Sequence, residues 1–81
     1  MNNQQILLDY IKNDLLKGRM ANLNVDDDLL DSGILNSLGI LQLVAFIDER
    51  LGIQVPDEDV VYENFHSVAA LTSYLDGLAS A

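Results

Sequence analysis

The chain has 81 residues, of which thirteen are acidic and four basic, for a formal charge of −9. That length makes one domain burying only about 60% of its unfolded surface, and a hydrophobic share of 49% gives it a small packed core and excludes a disordered chain. The charge argues against nucleic acid, whose phosphates reward Lys and Arg, and against anionic membrane surfaces; it favours proteins with basic docking patches.

The start, Met1-Asn2-Asn3-Gln4-Gln5, lacks the basic residues and long apolar run of a signal peptide. No apolar run approaches the roughly 20 residues of a membrane span. The expectations are a cytoplasmic location and a monomer, with no membrane partner. There is no cysteine, so a disulfide, a thiolate metal site and a cysteine nucleophile are all excluded.

From Asn3 to about Leu16, Leu7, Tyr10, Ile11 and Leu15 recur at helical spacing, and Ile6 and Leu8 widen the stripe. Gly18 is the expected stop, with Lys17 near the negative end of the helix. The long connection from Arg19 to Asn36 must be pinned by Leu23, Val25, Leu29, Leu30, Ile34 and Leu35. A short helical turn is expected at Leu29 and Leu30. The acidic run Asp26-Asp27-Asp28 with Asp31 has no register that supplies a calcium loop's alternating ligands, central Gly and closing Glu. No metal site is expected.

The second helix, about Ser37 to Leu51, is the informative one. Asn36 is a favourable N-cap, which places Ser37 in the first turn, where a helix presents positive partial charge. At roughly 100° per residue, Ile40, Leu43, Val44, Ile47 and Leu51 form one apolar arc. Leu38, Leu41 and Ala45 form a second arc nearly opposite, flanked by Gln42, Asp48 and Glu49. So little chain is left to cover that outer stripe that it becomes a candidate partner surface beside the serine. Gly52 reads as the C-cap, with Ile53 as its apolar contact.

Pro56 biases Val55 to an extended form. Asp57 is expected to cap a short helix through about Tyr62, with Val60 and Val61 facing inward. Ser67 is the expected cap of a last helix to about Leu78, carrying Val68, Leu71, Tyr74, Leu75 and Leu78 on one stripe, with Phe65 as a staple onto Leu71. The tail Ala79-Ser80-Ala81 is expected to fray.

These elements resemble the acyl and peptidyl carrier proteins. Leu35-Asn36-Ser37-Leu38-Gly39 is similar to the family's attachment site, in which a serine after an Asp and before a Leu or Met carries 4'-phosphopantetheine. Asp31-Ser32-Gly33-Ile34 resembles the loop before the family's second helix, Val55-Pro56-Asp57-Glu58 the lead into the third, and Phe65-His66-Ser67-Val68-Ala69-Ala70-Leu71 the start of the fourth. The resemblance implies an all-α fold: a small four-helix bundle with three longer helices, one short third helix and a long first loop. It implies a non-catalytic carrier whose covalent cofactor, on Ser37, holds acyl or aminoacyl groups as thioesters for a secondary-metabolic or fatty-acid-type pathway. The implied partners are a phosphopantetheinyl transferase, an adenylating or acyl-loading enzyme, and a condensing, tailoring or transfer enzyme. Asn36, Leu38, Leu41, Gln42, Ala45, Asp48, Glu49, Val60 and Val61 would meet them. Leu41, Ile47, Val60 and Val61 are the candidates for sheltering cargo between the second and third helices. Asn36 departs from the family's usual Asp.

Two other readings stand against this one. A hydrolase serine needs a base and an oxyanion hole; the sole histidine, His66, sits in a distant connection expected to be exposed, and Leu35-Asn36-Ser37-Leu38-Gly39 is no Gly-x-Ser-x-Gly elbow. The alternative is an unmodified acidic interaction module with the same fold, for which Asn36 is the supporting feature.

Overall fold

The computed structural model describes residues 3–19 and 22–80. Helix α1 (Asn3–Tyr10) widens into a π-helical turn, Ile11–Leu15. A long loop follows, and then α2 (Ser37–Phe46), which also ends in a π-helical turn, Ile47–Leu51. A strap of 3-10 turn and extended chain, with the turn at Asp57–Asp59, leads into the four-residue α3 (Tyr62–Phe65) and the long α4 (Val68–Ser80). The chain is a small all-helical bundle with three longer helices and one short third helix.

The apolar periodicity decides what is inside. Leu7 and Ile11 of the first helix, Leu43 and Ile47 of the second, and Val68, Leu71 and Leu75 of α4 are fully buried together with Phe65. Ile40, Val44 and Leu51 complete the inner arc of α2 as half-buried packing. Removing each large side chain from water contributes roughly 1.5–3 kcal/mol, which offsets the entropy of ordering so short a chain. Tyr10, half-buried, stacks its ring on Phe46 with centroids 3.9 Å apart and so locks the first helix to the second.

Local chemistry sets the helix ends. Asn36 is extended, and its Oδ1 accepts the Gly39 N–H at 2.9 Å. Gly52 is left-handed at φ 70°, and its N–H and that of Ile53 return to the carbonyls of Asp48 and Ile47. This is the αL ending in which the residue after glycine closes the outer bond. Ser67, buried at 3% exposure, accepts the Ala70 N–H on its Oγ at 3.1 Å. The first helix ends as expected near Gly18, but Lys17 is left-handed too, at φ 53°. The Gly18 N–H bonds the Lys12 carbonyl at 2.8 Å, and the Arg19 Nε caps the Leu16 carbonyl at 3.2 Å.

Three expectations need correction. Leu29 and Leu30 lie in bends and form no helical turn: Asp28 Oδ1 takes the N–H groups of Leu30 and Asp31 at 2.9 and 2.7 Å, diverting the backbone into a tight side-chain-capped turn. No single helix spans Asp57 to Tyr62. The chain makes a 3-10 turn, turns again at Val60, where the Val61 N–H bonds the Asp59 carbonyl at 2.9 Å, and is extended at Val61 before α3 begins. Asp57 provides no side-chain cap, two successive β-branched residues resist helix, and burial of Phe65 sets where the next turn forms. Val61 consequently faces outward at 43% exposure. The last helix runs past Leu78 to Ser80, so Ala79 and Ser80 are helical; Ala81 lies outside the described residues.

Two tyrosines tie the strap region to its neighbours. Tyr62 donates its hydroxyl to Asp28 of the long loop, and Tyr74 of α4 donates to Asp59. The phenol of Tyr62 is raised to about 12, first by its hydrogen bond to the Asp28 carboxylate. That of Tyr74 is raised to about 12, first by burial and then by the bond to Asp59. Asp28 is held below its ordinary carboxylate value, chiefly by the Tyr62 hydroxyl and then by the backbone N–H groups of Asp31 and Leu30.

Because both phenols bind their protons more tightly when folded, the stability they contribute is complete below pH 10, the ordinary tyrosine value, and is lost as pH rises through about 12. Near-ultraviolet titration should therefore show little phenolate at pH 10, with most of it appearing together with loss of helical circular dichroism. The contribution from Asp28 has the opposite sense: it is present above the ordinary carboxylate value of 3.8 and lost as pH falls through the lower folded value. Ser67→Ala, which orphans the Ala70 N–H, should cost about 1 kcal/mol and lower Tm by roughly 4–8 °C, read by thermal circular dichroism.

Candidate functional site

Ser37 is the first residue of α2, with its side chain exposed to solvent. Its position follows from the residues on either side. Leu35 is buried at the end of the loop, its N–H bonded to the Leu29 carbonyl at 2.8 Å, and it anchors the chain just before the helix. Asn36 then caps. Gly39, in the first turn, is buried beneath Leu35; a Cβ there would approach Leu35 Cδ2 to 3.3 Å, so glycine lets the loop close down on the helix start. The outcome is a hydroxyl held at a rigid helix end. No acidic side chain lies in the first turn of α2, so the positive end of the helix is unopposed there. An anionic phosphate bonded to Ser37 would be stabilised by it.

Beside the serine opens an apolar groove of about 490 Å³. Leu30 and Leu35 wall it from the loop, Ile40 and Leu41 from α2, and Val60 from the strap, with Asn36 and Ser37 at its edge. Leu41 and Val60 are placed here as expected. Ile47 is not: it is fully buried in the core. Val61, turned outward, does not line the groove either. Leu30 and Leu35 take their places. They were read only as pins for the loop, and nothing in their spacing reveals which side of the loop they line.

The outer stripe of α2 is uncovered. Leu38 and Leu41 are 62% and 66% exposed, and Ala45, Gln42, Asp48 and Glu49 are exposed with them. Val61 and Tyr62 add apolar surface from the strap and α3. Tyr62 was missed as a surface residue because it was read as the end of a longer helix. Between Asp26 and Glu63 the chain carries ten acidic residues and a single base, Arg50. Lys12, Lys17 and Arg19 all lie in the first helix and the turn that ends it.

His66 is half-buried rather than exposed. Its ring stacks on Tyr62 with centroids 5.1 Å apart, and its carbonyl accepts the Leu29 N–H at 2.6 Å. It serves the junction between the loop and α4 and is absent from the groove at Ser37. Among the described residues, no group of three or more His, Asp or Glu side chains is placed to hold a metal ion, and no helix is long and apolar enough to cross a membrane.

Comparison with known proteins agrees with this geometry. A family model described as a phosphopantetheine attachment site matches residues 7–75. D-alanyl carrier protein 1 of Lactiplantibacillus plantarum is 32% identical over 63 residues, covering 78% of this chain and 79% of that protein. The D-alanyl carrier protein of Streptococcus pyogenes is 28% identical over 57 residues, covering 70% and 72%. A chain in a solved structure described as that of an FAD-dependent dehydrogenase aligns with a TM-score of 0.79 and 37% identity, over 84% of this chain and 96% of that one. A match to the phosphopantetheine attachment-site model over most of its length, on an all-helical bundle that presents a serine at a helix end, makes this chain a member of the phosphopantetheine-binding carrier proteins, which are non-catalytic.

Proposed function

We propose that Ser37 bears the 4'-phosphopantetheine arm and that the chain carries an aminoacyl or acyl group on it as a thioester. The observation that carries the assignment is the exposed Ser37 hydroxyl on the first residue of α2, beside an apolar groove. The residues present fit the group: the helix end suits a phosphodiester. In the modification, the Ser37 oxygen attacks the β-phosphorus of coenzyme A, the pyrophosphate bond breaks, adenosine 3',5'-bisphosphate leaves, and the serine proton passes to a base on the transferase. The bound arm supplies a terminal thiol for thioester chemistry, which this cysteine-free chain lacks. What the protein itself contributes is a fixed attachment point, a docking face and a groove.

An aminoacyl cargo is favoured because the relatives are named D-alanyl carrier proteins. Partners on this reading are a phosphopantetheinyl transferase, an adenylating or acyl-loading enzyme, and a condensing, tailoring or transfer enzyme, in the cytoplasm. The likeness to a chain in a structure described as an FAD-dependent dehydrogenase supports an oxidising flavoenzyme as the tailoring partner. Leu38, Leu41, Gln42, Ala45, Asp48, Glu49 and Val61, joined by Tyr62, form the face that meets these enzymes, with Asn36 at its edge and Val60 beside the groove.

Incubation with coenzyme A, magnesium and a broad-specificity transferase should add the mass of one phosphopantetheine to the intact protein and none to Ser37→Ala. No gain in a demonstrably folded wild-type chain would overturn the reading in favour of an unmodified acidic interaction module. Asn36 already performs the cap, so Asn36→Asp should leave the modification rate unchanged, whereas Asn36→Ala should cost about 1 kcal/mol of stability. A faster rate for the Asp variant would show that the transferase uses the charge and not the cap alone.

A further inference from the structure

The groove beside Ser37 has walls from three parts of the chain, and only one of them, α2, is regular helix. The loop wall at Leu30 and the strap wall at Val60 have no backbone hydrogen bond to each other among the described residues. Between the two segments run one backbone bond, from the Leu29 N–H to the His66 carbonyl just after α3, and one side-chain bond. Tyr62, two residues after Val60, donates to Asp28, two residues before Leu30. Asp28 is well suited to this role. One carboxylate oxygen gathers the N–H groups of Leu30 and Asp31 and so shapes the loop wall, while the other receives the phenol. Tyr62 in turn rests its ring on His66, whose carbonyl holds the Leu29 N–H. Tyr62 and Asp28 are 34 apart in sequence.

We propose that the Tyr62–Asp28 hydrogen bond is a catch that holds the loop and strap walls of the groove together, and that its release opens the groove beside Ser37. The strap is the part of the bundle least able to hold itself. It consists of a three-residue 3-10 turn and the short connection through Val60 and Val61, and the four-residue α3 that follows has no side-chain cap. Elements this short depend on tertiary contacts. Its other fastening, Tyr74 to Asp59, ties it to α4 and not across the groove. The catch can also be reached from outside. Tyr62 is 45% exposed and borders Val61, itself 43% exposed, so a protein packing on this face competes directly for the ring that carries the catch. For cargo held by the proposed arm, the consequence is that docking at Tyr62 and access to the groove are linked through this hydrogen bond. That consequence rests on the reading of Ser37 given above; the catch itself does not.

The test compares wild type with Tyr62→Phe, which keeps the ring and cuts the bond, and with Tyr10→Phe, which removes a hydroxyl bonded to the Gln42 carbonyl on another part of α2. In the unmodified proteins, amide hydrogen exchange of residues 28–35 and 57–66 should rise severalfold in Tyr62→Phe only, while the amides of α1 and α4 keep their protection. In the modified proteins, loaded by the transferase from butyryl coenzyme A, the thioester of Tyr62→Phe should be cleaved severalfold faster by hydroxylamine. Unaltered exchange in both walls, or a uniform rise that includes α1 and α4, would overturn the proposal. So would faster exchange with an unchanged thioester lifetime, since the catch would then not govern the groove. If no arm is added to any protein, the carrier reading of Ser37 fails, and the exchange experiment still decides whether Tyr62 and Asp28 join the walls.

Discussion

The bundle depends on how its long loop is fastened. Among the described residues between the first helix and α2 the chain runs without regular structure, so its backbone groups need partners supplied from elsewhere. Three apolar anchors, Leu23, Leu29 and Leu35, are buried at 4%, 0% and 6% exposure. Backbone bonds then complete the seal: Leu29 N–H to the His66 carbonyl, Ala69 N–H to the Val25 carbonyl, and Leu35 N–H to the Leu29 carbonyl. The loop therefore acts as a fifth packing element. It closes the open side of a core that three longer helices and one short one do not enclose alone, and it ends by delivering Leu35 and Asn36 to the start of α2.

That delivery creates the site. A serine in the middle of a helix would point along whichever face its register dictates. At the first helical position, preceded by a cap that bonds the Gly39 N–H, Ser37 instead occupies the helix end. Its neighbours have contrasting character: uncovered Leu38 and Leu41 on the outer face, and the groove walls on the other side. The loop packing, the helix end and the groove are thus one arrangement. Moving Leu35 or enlarging Gly39 would disturb all three, because the Leu35 side chain lies within van der Waals contact of the space a Gly39 Cβ would occupy.

Much of this was legible in the sequence, and the boundary has a physical reason. Helical periodicity reports which face meets the core, so the inner arc of α2 and the exposed Leu38, Leu41 and Ala45 could be read directly. Caps are local, so Asn36, Gly52 and Ser67 could be read as well. The stretch Asp57–Tyr62 departs from the expected helix because its local signals conflict: acidic residues favour a helix start, the paired valines oppose continuation, and burial of Phe65, a tertiary effect, sets the outcome. The groove walls and the Tyr62–Asp28 bond were not legible at all. They join residues from separate turns, and no pattern within a window of sequence encodes which acidic residue of the run Asp26-Asp27-Asp28 meets which tyrosine. Nothing in the sequence sets Asp28 apart from its neighbours in the run. Only the fold distinguishes it.

Charge and apolar surface are distributed in a way that suits brief encounters. Ten of thirteen acidic residues lie between Asp26 and Glu63, the half of the chain that holds Ser37 and the uncovered apolar side chains, whereas three of the four basic residues lie in and just after the first helix. A field of one sign over that half speeds the approach of basic surfaces and orients the chain before contact. The apolar side chains within it are few. Few apolar anchors leave little surplus once the cost of association is met, which favours a complex that dissociates readily. A carrier must visit several enzymes in succession and be released by each, and tight binding at any one of them would stop the sequence. Steering by charge raises the encounter rate without prolonging the complex, because surface electrostatics act mainly on association. A docking face of the kind proposed above, a few apolar side chains set among acidic ones, therefore suits the work of a carrier.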